Sequence, residues 1–347
     1  MADSSPIRTG IIGFGLAGQV FHEPFLATNP AFRIDVVATS DPARQALARD
    51  KYNVVESPAD LLSRASELDL VVLASPAHVH LEQGIAALEA GAAVVVDKPF
   101  AASVAEATQL IETAERVGRP LIVFQNRRWD GDFLTVRKLV DSGRLGRVHR
   151  FESTFERYAS QLRDRWQDTT PISKGAGITF DLGSHLVDQA LQLFGPAKLA
   201  RAEVRVLRDG GASDDDAFLS LEHDNGVVSH VTVSRLAAQA GPRFRVLGTE
   251  SAYTVYGLDP QEGSLKGGAR PGDPGFGEAA PSDYGLLGGG SAGAELQPVP
   301  TERGHYAAFY AGVAAAVRDG APSPVDPRSS LETLRILEQA HRLHVIS

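Results

Sequence analysis

Three groups of residues have the types and spacing to do chemistry. The first is Gly13-Phe14-Gly15-Leu16-Ala17-Gly18, a G-x-G-x-x-G turn between an apolar run ending at Ile12 and a helical stretch. Its first glycine permits a tight turn, its second lets the backbone approach a pyrophosphate, and its third lets helix pack close to strand. The phosphate then rests on the helix N-terminus. In this strand–turn–helix setting, Gly13 to Gly18 are read as a dinucleotide site. The competing reading is a glycine turn that serves packing only.

The second group is Asp97-Lys98-Pro99, directly after the apolar run Ala92 to Val96. That places Lys98 at the carboxyl end of a strand, where open α/β sheets bind ligands. A lysine there can donate to a substrate hydroxyl, or shift its pKa when desolvated. A surface lysine in a strand-to-helix loop is the alternative. The third group is Asp181 and His185, four apart across the start of a helical pattern. A carboxylate beside an imidazole suits general-base work, the carboxylate orienting the ring. Otherwise Asp181 is a cap and His185 packs. No clear metal-ligand set accompanies them.

The choice of dinucleotide turns on Asp41, at the usual distance for a ribose-binding acid. Asp41-Pro42 is also a helix cap followed by proline. If Asp41 caps, Ser40 and Arg44 are left to hold a 2′-phosphate, and the reading leans to NADP over NAD.

The elements that must position these groups alternate in the first third. Runs ending at Ile12, over residues 32–39, 69–75 and 92–96, and at 121–124 suit strands buried on both faces. Ser57-Pro58, the capping box Ser103 to Glu106, Gly91 and Gly118 mark helix ends. This predicts a doubly wound α/β domain over residues 1–125. Beyond it, alternation at Ala200 to Val206 and Val227 to Val233, with Asp224-Asn225-Gly226 as a hairpin signal, predicts a mostly antiparallel sheet. Residues 243–246 and 253–256 read as further strands. A second, α+β domain is expected over 126–347. Residues 257–300 read as a long Gly- and Pro-rich loop, with helices returning at about 305–318 and 331–344.

Composition excludes much else. The 347 residues carry 34 basic and 43 acidic side chains, a net charge of -9. That disfavours a nucleic-acid partner. With no cysteine, disulfides, thiolate zinc and a cysteine nucleophile are ruled out. No signal-like or membrane-spanning apolar run is visible, so a cytoplasmic protein without a membrane partner is expected.

The glycine turn, Asp97-Lys98-Pro99 and the Asp181…His185 stretch, in this order, resemble the Gfo/Idh/MocA oxidoreductase family over essentially the whole chain. Phe21-His22-Glu23-Pro24, Phe124 to Asp130, Arg163 to Trp166 and Tyr256 to Glu262 are similar to its branch of NADP-dependent scyllo-inositol dehydrogenases. The resemblance implies an N-terminal Rossmann domain and an open-sheet C-terminal domain that makes an oligomer interface. It implies Lys98 near the nicotinamide and the reacting hydroxyl, Asp181 binding substrate or orienting His185, and His185 as acid/base. Ser75, Pro76, His80, Asp97, Arg128 and Trp129 join the cofactor contacts, although His80 and Trp129 also read as packing residues. Trp166 is a substrate candidate and Tyr158 and Tyr284 are weaker ones; Arg128 and Arg163 can contact cofactor phosphate or substrate, with surface salt bridges as the alternative. Two departures stand out: Asp97 replaces the family's usual glutamate, and Ala77 replaces a frequent asparagine, so that residue's cofactor or ribose contact is not carried over.

The expectation is an NAD(P)-dependent dehydrogenase of a sugar or polyol, scyllo-inositol-like compounds favoured, working without metal. A homodimer or homotetramer is expected, because a one-faced antiparallel sheet calls for a cover. The alternatives are a catalytically silent NAD(P)-binding sensor and a non-hydride sugar-processing enzyme that uses bound NAD transiently.

Overall fold

Strands that are apolar on both faces must be covered on both faces, and the first sheet is built that way. The computed structural model describes residues 5–162, 166–289, 295–343 and 345–346. β1 (Ile7–Ile12), β2 (Phe32–Ala38), β3 (Asn53–Val55), β4 (Leu70–Leu73), β5 (Ala93–Val96) and β6 (Leu121–Val123) form one sheet. Its order is β3-β2-β1-β4-β5-β6, and every pairing is parallel. The order reverses between β1 and β4, the crevice where doubly wound sheets bind ligands at their carboxyl ends. Leu73, Val95 and Val96 have no exposed surface. Burying each such side chain contributes about 1.5–3 kcal/mol.

The helix ends follow their side chains. Ser57 and Asp60 cap each other reciprocally. Ser103 accepts from the Glu106 amide, but Glu106 reaches back to the Ala102 amide rather than closing the expected box on Ser103. Gly118 ends the helix Val104–Val117 at φ +64°, where a glycine is favoured.

The second sheet has nine strands: β7 (Val148–Glu156), β8 (Ala197–Arg205), β9 (Asp216–His223), β10 (Val228–Ser234), β11 (Phe244–Gly248), β12 (Ala252–Val255), β13 (Gly285–Gly288), β14 (Gln297–Val299) and β15 (Val345–Ile346). Their order is β14-β13-β12-β11-β7-β10-β9-β8-β15. Only β10 with β7 and β15 with β8 pair in parallel among these strands, so the sheet is mostly antiparallel. Phe151, Phe155, Leu219, Val231 and Phe244 are buried on its inner face. The helix Ser184–Phe194 packs against β7 and β10. The opposite face carries ion pairs such as Arg245–Glu152 and Arg201–Glu203.

Three readings of the sequence change. The alternation at Ala200 breaks because the register shifts between Leu199 and Arg201, leaving Ala200 exposed. Residues 257–300 are not one loop: they contain the helix Pro260–Lys266 and the paired edge strands β13 and β14. The last two helices run Ala307–Asp319 and Pro327–Leu343.

The chain divides into two compact units. The first is Met1–Asn126 with Glu262–Phe276 and Tyr306–Leu331; the second is Arg127–Gln261 with Gly277–His305 and Glu332–Ser347. Two segments of the second half of the chain therefore belong to the parallel-sheet unit. One of them, the helix Ala307–Asp319, packs against β1 and the helix Glu23–Thr28.

Candidate functional site

In the first unit the glycine turn shows why each glycine is there. Gly13 stands at φ +92°, and a Cβ on it would lie 2.6 Å from the Ala74 carbonyl oxygen. A Cβ on Gly18 would come within 2.2 Å of the Gly13 carbonyl oxygen. The turn itself demands these two. Gly15 differs: the nearest atom to its would-be Cβ is an Arg44 guanidinium nitrogen at 3.5 Å, an ordinary contact. Packing does not require glycine there, whereas the approach of a bulky anion does. Gln19 braces the turn by donating to the Phe14 carbonyl at 2.5 Å. Phe14 is buried and Leu16 exposed. The chain leaves through Ala17–His22, a π-helical segment, a form that often marks functional sites. These residues fit a dinucleotide's pyrophosphate.

At the end of β2, Asp41 is a cap. Its Oδ1 accepts from the amides of Ala43 and Arg44, at 2.9 and 3.1 Å. The Arg44 guanidinium lies 3.5 Å from its other oxygen, on the side facing Gly15. Ser40 beside it is exposed. The structure thus places Ser40, Asp41 and Arg44 together next to the glycine turn.

At the end of β5, Asp97 accepts from the Lys98 amide at 2.7 Å, and the Lys98–Pro99 peptide is cis. The other Asp97 oxygen lies 3.9 Å from Nε2 of His22. Burial pushes the Asp97 carboxyl up, but His22, Lys98 and the Lys98 amide together outweigh it and leave it below its ordinary value. Asp97, expected among the cofactor contacts, instead has its carboxylate directed at His22 and at the Lys98 backbone.

His80 is buried, with Nε2 2.8 Å from the Ser75 carbonyl and Nδ1 3.2 Å from that of Phe100. Burial holds its pKa below the usual histidine value. The ring lies between the loops after β4 and β5 and, when neutral, has one N–H to donate to one of these two carbonyls. The Ser75 hydroxyl donates to Gln83 at 2.6 Å. Pro76 is half-buried and Ala77 buried.

In the second unit, Asp181 lies on another π-helical segment, Thr179–Gly183. Asp214 anchors its start, accepting from the Thr179 amide at 2.8 Å and hydroxyl at 2.5 Å. His341 approaches the other Asp214 oxygen at 3.2 Å. Gly177, at φ +101°, could not carry a Cβ, which would lie 1.8 Å from that same oxygen. Arg235, buried just beyond β10, donates to Asp181 at 2.9 Å. Tyr158 is exposed and bridges through its backbone to Leu236, so it joins Arg235 and Asp181 at this end of the sheet.

His185 is buried in the first turn of the helix Ser184–Phe194. Three residues on, Asp188 receives two hydrogen bonds from Arg128, at 2.8 and 2.6 Å. The buried Arg128 guanidinium, expected among the cofactor contacts, is clasped by this carboxylate on the His185 helix. Trp129 is half-buried, and its carbonyl accepts from the His305 amide and from Gln261. Arg163 lies outside the described residues. Of Trp166 only the backbone is described, at the start of the short helix Trp166–Thr169. Tyr284 is half-buried before β13. Among the described residues, no group of three or more His, Asp and Glu converges as a metal site.

The sequence alone gives no role to Arg235, Asp188 or Tyr310, because each acts on a residue far along the chain. His22 alone had a signal, as part of Phe21-His22-Glu23-Pro24.

Comparison with known proteins adds the following. Residues 7–125 match the oxidoreductase family model with an NAD-binding Rossmann fold, and residues 133–254 match the GFO/IDH/MocA C-terminal domain. The chain is 37% identical to the uncharacterized oxidoreductase YdgJ of Escherichia coli, covering 96% of this chain and 95% of that protein. It is 32% identical to the scyllo-inositol 2-dehydrogenase (NADP(+)) IolW of Bacillus subtilis, over 96% of this chain and 92% of that one. The solved structure of the oxidoreductase YvaA of Bacillus subtilis superposes with a TM-score of 0.91 at 31% identity, covering 99% of this chain and 97% of the other.

Proposed function

The chain belongs to the Gfo/Idh/MocA oxidoreductase family, and on that premise we propose that it is an NADP-dependent dehydrogenase of a secondary alcohol on an inositol or related sugar. Its first unit is an NAD(P)-binding Rossmann domain. The observation that carries the finer reading is Lys98 at the carboxyl end of β5, its amide held by the half-buried Asp97 carboxylate, at the ligand-binding end of such sheets.

In this reading His185 takes the hydroxyl proton. Lys98 hydrogen-bonds the same oxygen and stabilises the negative charge that builds there. Asp181, held in place by Arg235, orients the imidazole and supports its protonated form. A nicotinamide cofactor held by the Gly13 to Gly18 turn would supply the hydride acceptor for the alcohol and, in reverse, the hydride donor for the ketone.

NADP is favoured because the Asp41 carboxylate already caps a helix, which leaves Arg44 beside the glycine turn to meet a 2′-phosphate. The relative IolW, a scyllo-inositol 2-dehydrogenase (NADP(+)), points the same way. We also propose a cytoplasmic protein that self-associates as a homodimer or homotetramer through the outer face of its nine-stranded sheet. No described helix is long and apolar enough to cross a membrane. The test is reduced-nicotinamide formation with NADP and with NAD across a panel of inositols and aldoses. Turnover with NADP and scyllo-inositol supports the reading. Cofactor binding with no turnover of any panel member favours a silent sensor.

A further inference from the structure

The parallel-sheet unit contains a buried polar chain that the proposed reaction does not use. His22 has no exposed surface, and Tyr310 is almost as deeply buried. They sit among Phe25, Phe124 and Phe309, with the Phe124 ring 4.4 Å from the imidazole. The Tyr310 hydroxyl lies 2.6 Å from His22 Nδ1. Burial, and then the charge of Asp97, push this phenol well above its ordinary value, so it keeps its proton. The Asp97 carboxylate faces Nε2 and so favours a hydrogen there, which leaves Nδ1 to accept from the phenol.

Among the described residues Nε2 has no hydrogen-bond partner. It lies 3.9 Å from Asp97 Oδ2, beyond hydrogen-bond reach but within the range of a charge. A buried N–H left without a bond costs about 1–3 kcal/mol. A phenylalanine or leucine would fill the same space without that cost, so packing alone does not explain a histidine here. What the ring adds is a polarised hydrogen aimed at the carboxylate that precedes Lys98. Asp97 is then held from two sides, by the Lys98 amide on Oδ1 and by the His22 ring toward Oδ2. Tyr310 comes from the helix Ala307–Asp319, which joins this unit from far along the chain.

We infer that His22 and Tyr310 are positioning residues for Lys98, acting through Asp97. The inference rests on the proposed role of Lys98 only for its effect on turnover. Freed of the His22 hydrogen, the Asp97 carboxylate closes on the Lys98 ammonium, shields it, and alters the donor offered to a substrate oxygen.

The test uses the full-length protein and its His22→Leu, His22→Gln and Tyr310→Phe variants, with folding confirmed by circular dichroism. Each is pulsed with acetic anhydride, and acetylation of every lysine is read by mass spectrometry. Lys51, Lys138, Lys174, Lys198 and Lys266 serve as internal references. Acetylation of Lys98 is expected to slow about three- to tenfold in His22→Leu and by a smaller factor in Tyr310→Phe, the scale of one hydrogen bond. His22→Gln, whose amide N–H replaces the ring's Nε2–H, should restore it. With NADP and scyllo-inositol, kcat should fall in parallel while KM for NADP holds. An unchanged Lys98 rate in the folded Tyr310→Phe and His22→Leu proteins overturns the inference, as does failure of His22→Gln to restore it. If His22→Leu does not fold, Tyr310→Phe decides. If the wild-type protein turns over no scyllo-inositol, the proposed substrate fails, and the labelling still decides this inference.

Discussion

Arg128 and Asp188 form a buried two-pronged ion pair, with hydrogen bonds of 2.8 and 2.6 Å. Asp188 stands three residues beyond His185 on one helix, so the pair ties that helix to the turn that carries Arg128. Removing one partner strands the other's charge in the interior. Asp188→Ala is expected to cost about 3–5 kcal/mol in urea denaturation. Arg128→Lys should also destabilise, because an ammonium cannot reproduce the fork. A loss under about 1 kcal/mol for Asp188→Ala would mean that the pair does not anchor the helix.

Asp41 and Arg44 are expected to separate by function. Asp41→Ala removes an N-cap and should cost about 0.5–2 kcal/mol of stability, with NADP affinity kept. Arg44→Ala should weaken NADP binding by about tenfold or more, the worth of one charge-assisted contact, while leaving NAD binding unchanged. Fluorescence titration with both cofactors reads this. Equal loss for NADP and NAD would remove Arg44 from the 2′-phosphate.

Asp259 supplies a pH dependence. It accepts from the Gly131 amide at 2.7 Å and from Gln261. Burial, and then the nearby charge of Asp132, push its carboxyl up to about 6. The native state therefore binds this proton more tightly than the unfolded chain, whose carboxyl titrates near 3.9. The destabilisation, about 3 kcal/mol, is fully present above about pH 6 and is relieved as pH falls toward about 4. The stability of Asp259→Asn relative to wild type should thus rise between pH 4 and pH 7, followed by urea denaturation. A difference that stays flat with pH would contradict the raised value.

Arg235 holds Asp181 at 2.9 Å. Arg235→Ala should lower kcat/KM for the alcohol by about tenfold to a hundredfold, as expected when a catalytic carboxylate loses its anchor. NADP affinity should not change. Loss of cofactor binding instead would assign Arg235 to the cofactor.

Much of this was readable along the chain because its cause is local. Runs such as Val94-Val95-Val96 have to be buried on both sides, and a glycine turn between strand and helix carries its own geometry. Three-residue β3 is too short for a pattern, and its Asn53 is exposed. β7 and β9 went unnamed because their polar faces and short runs gave no separate signal. The brief edge strands β13 and β14 lie inside a glycine-rich stretch that reads as loop. Capping was legible at Ser57, where donor and acceptor are three residues apart. The partners Asp188, Arg235 and Tyr310 were not, because an ion pair or hydrogen bond between distant segments leaves no periodicity at either end.

The central claim is that Lys98 acts on the reacting oxygen. The most direct measurement compares wild type and Lys98→Ala in NADPH formation from scyllo-inositol, with NADPH affinity measured on the same preparations. The account expects kcat to fall by about a hundredfold or more, the scale of losing one group that stabilises developing charge, with NADPH affinity held within about twofold. Turnover within about tenfold of wild type, or an equal loss of turnover and cofactor binding, would contradict it.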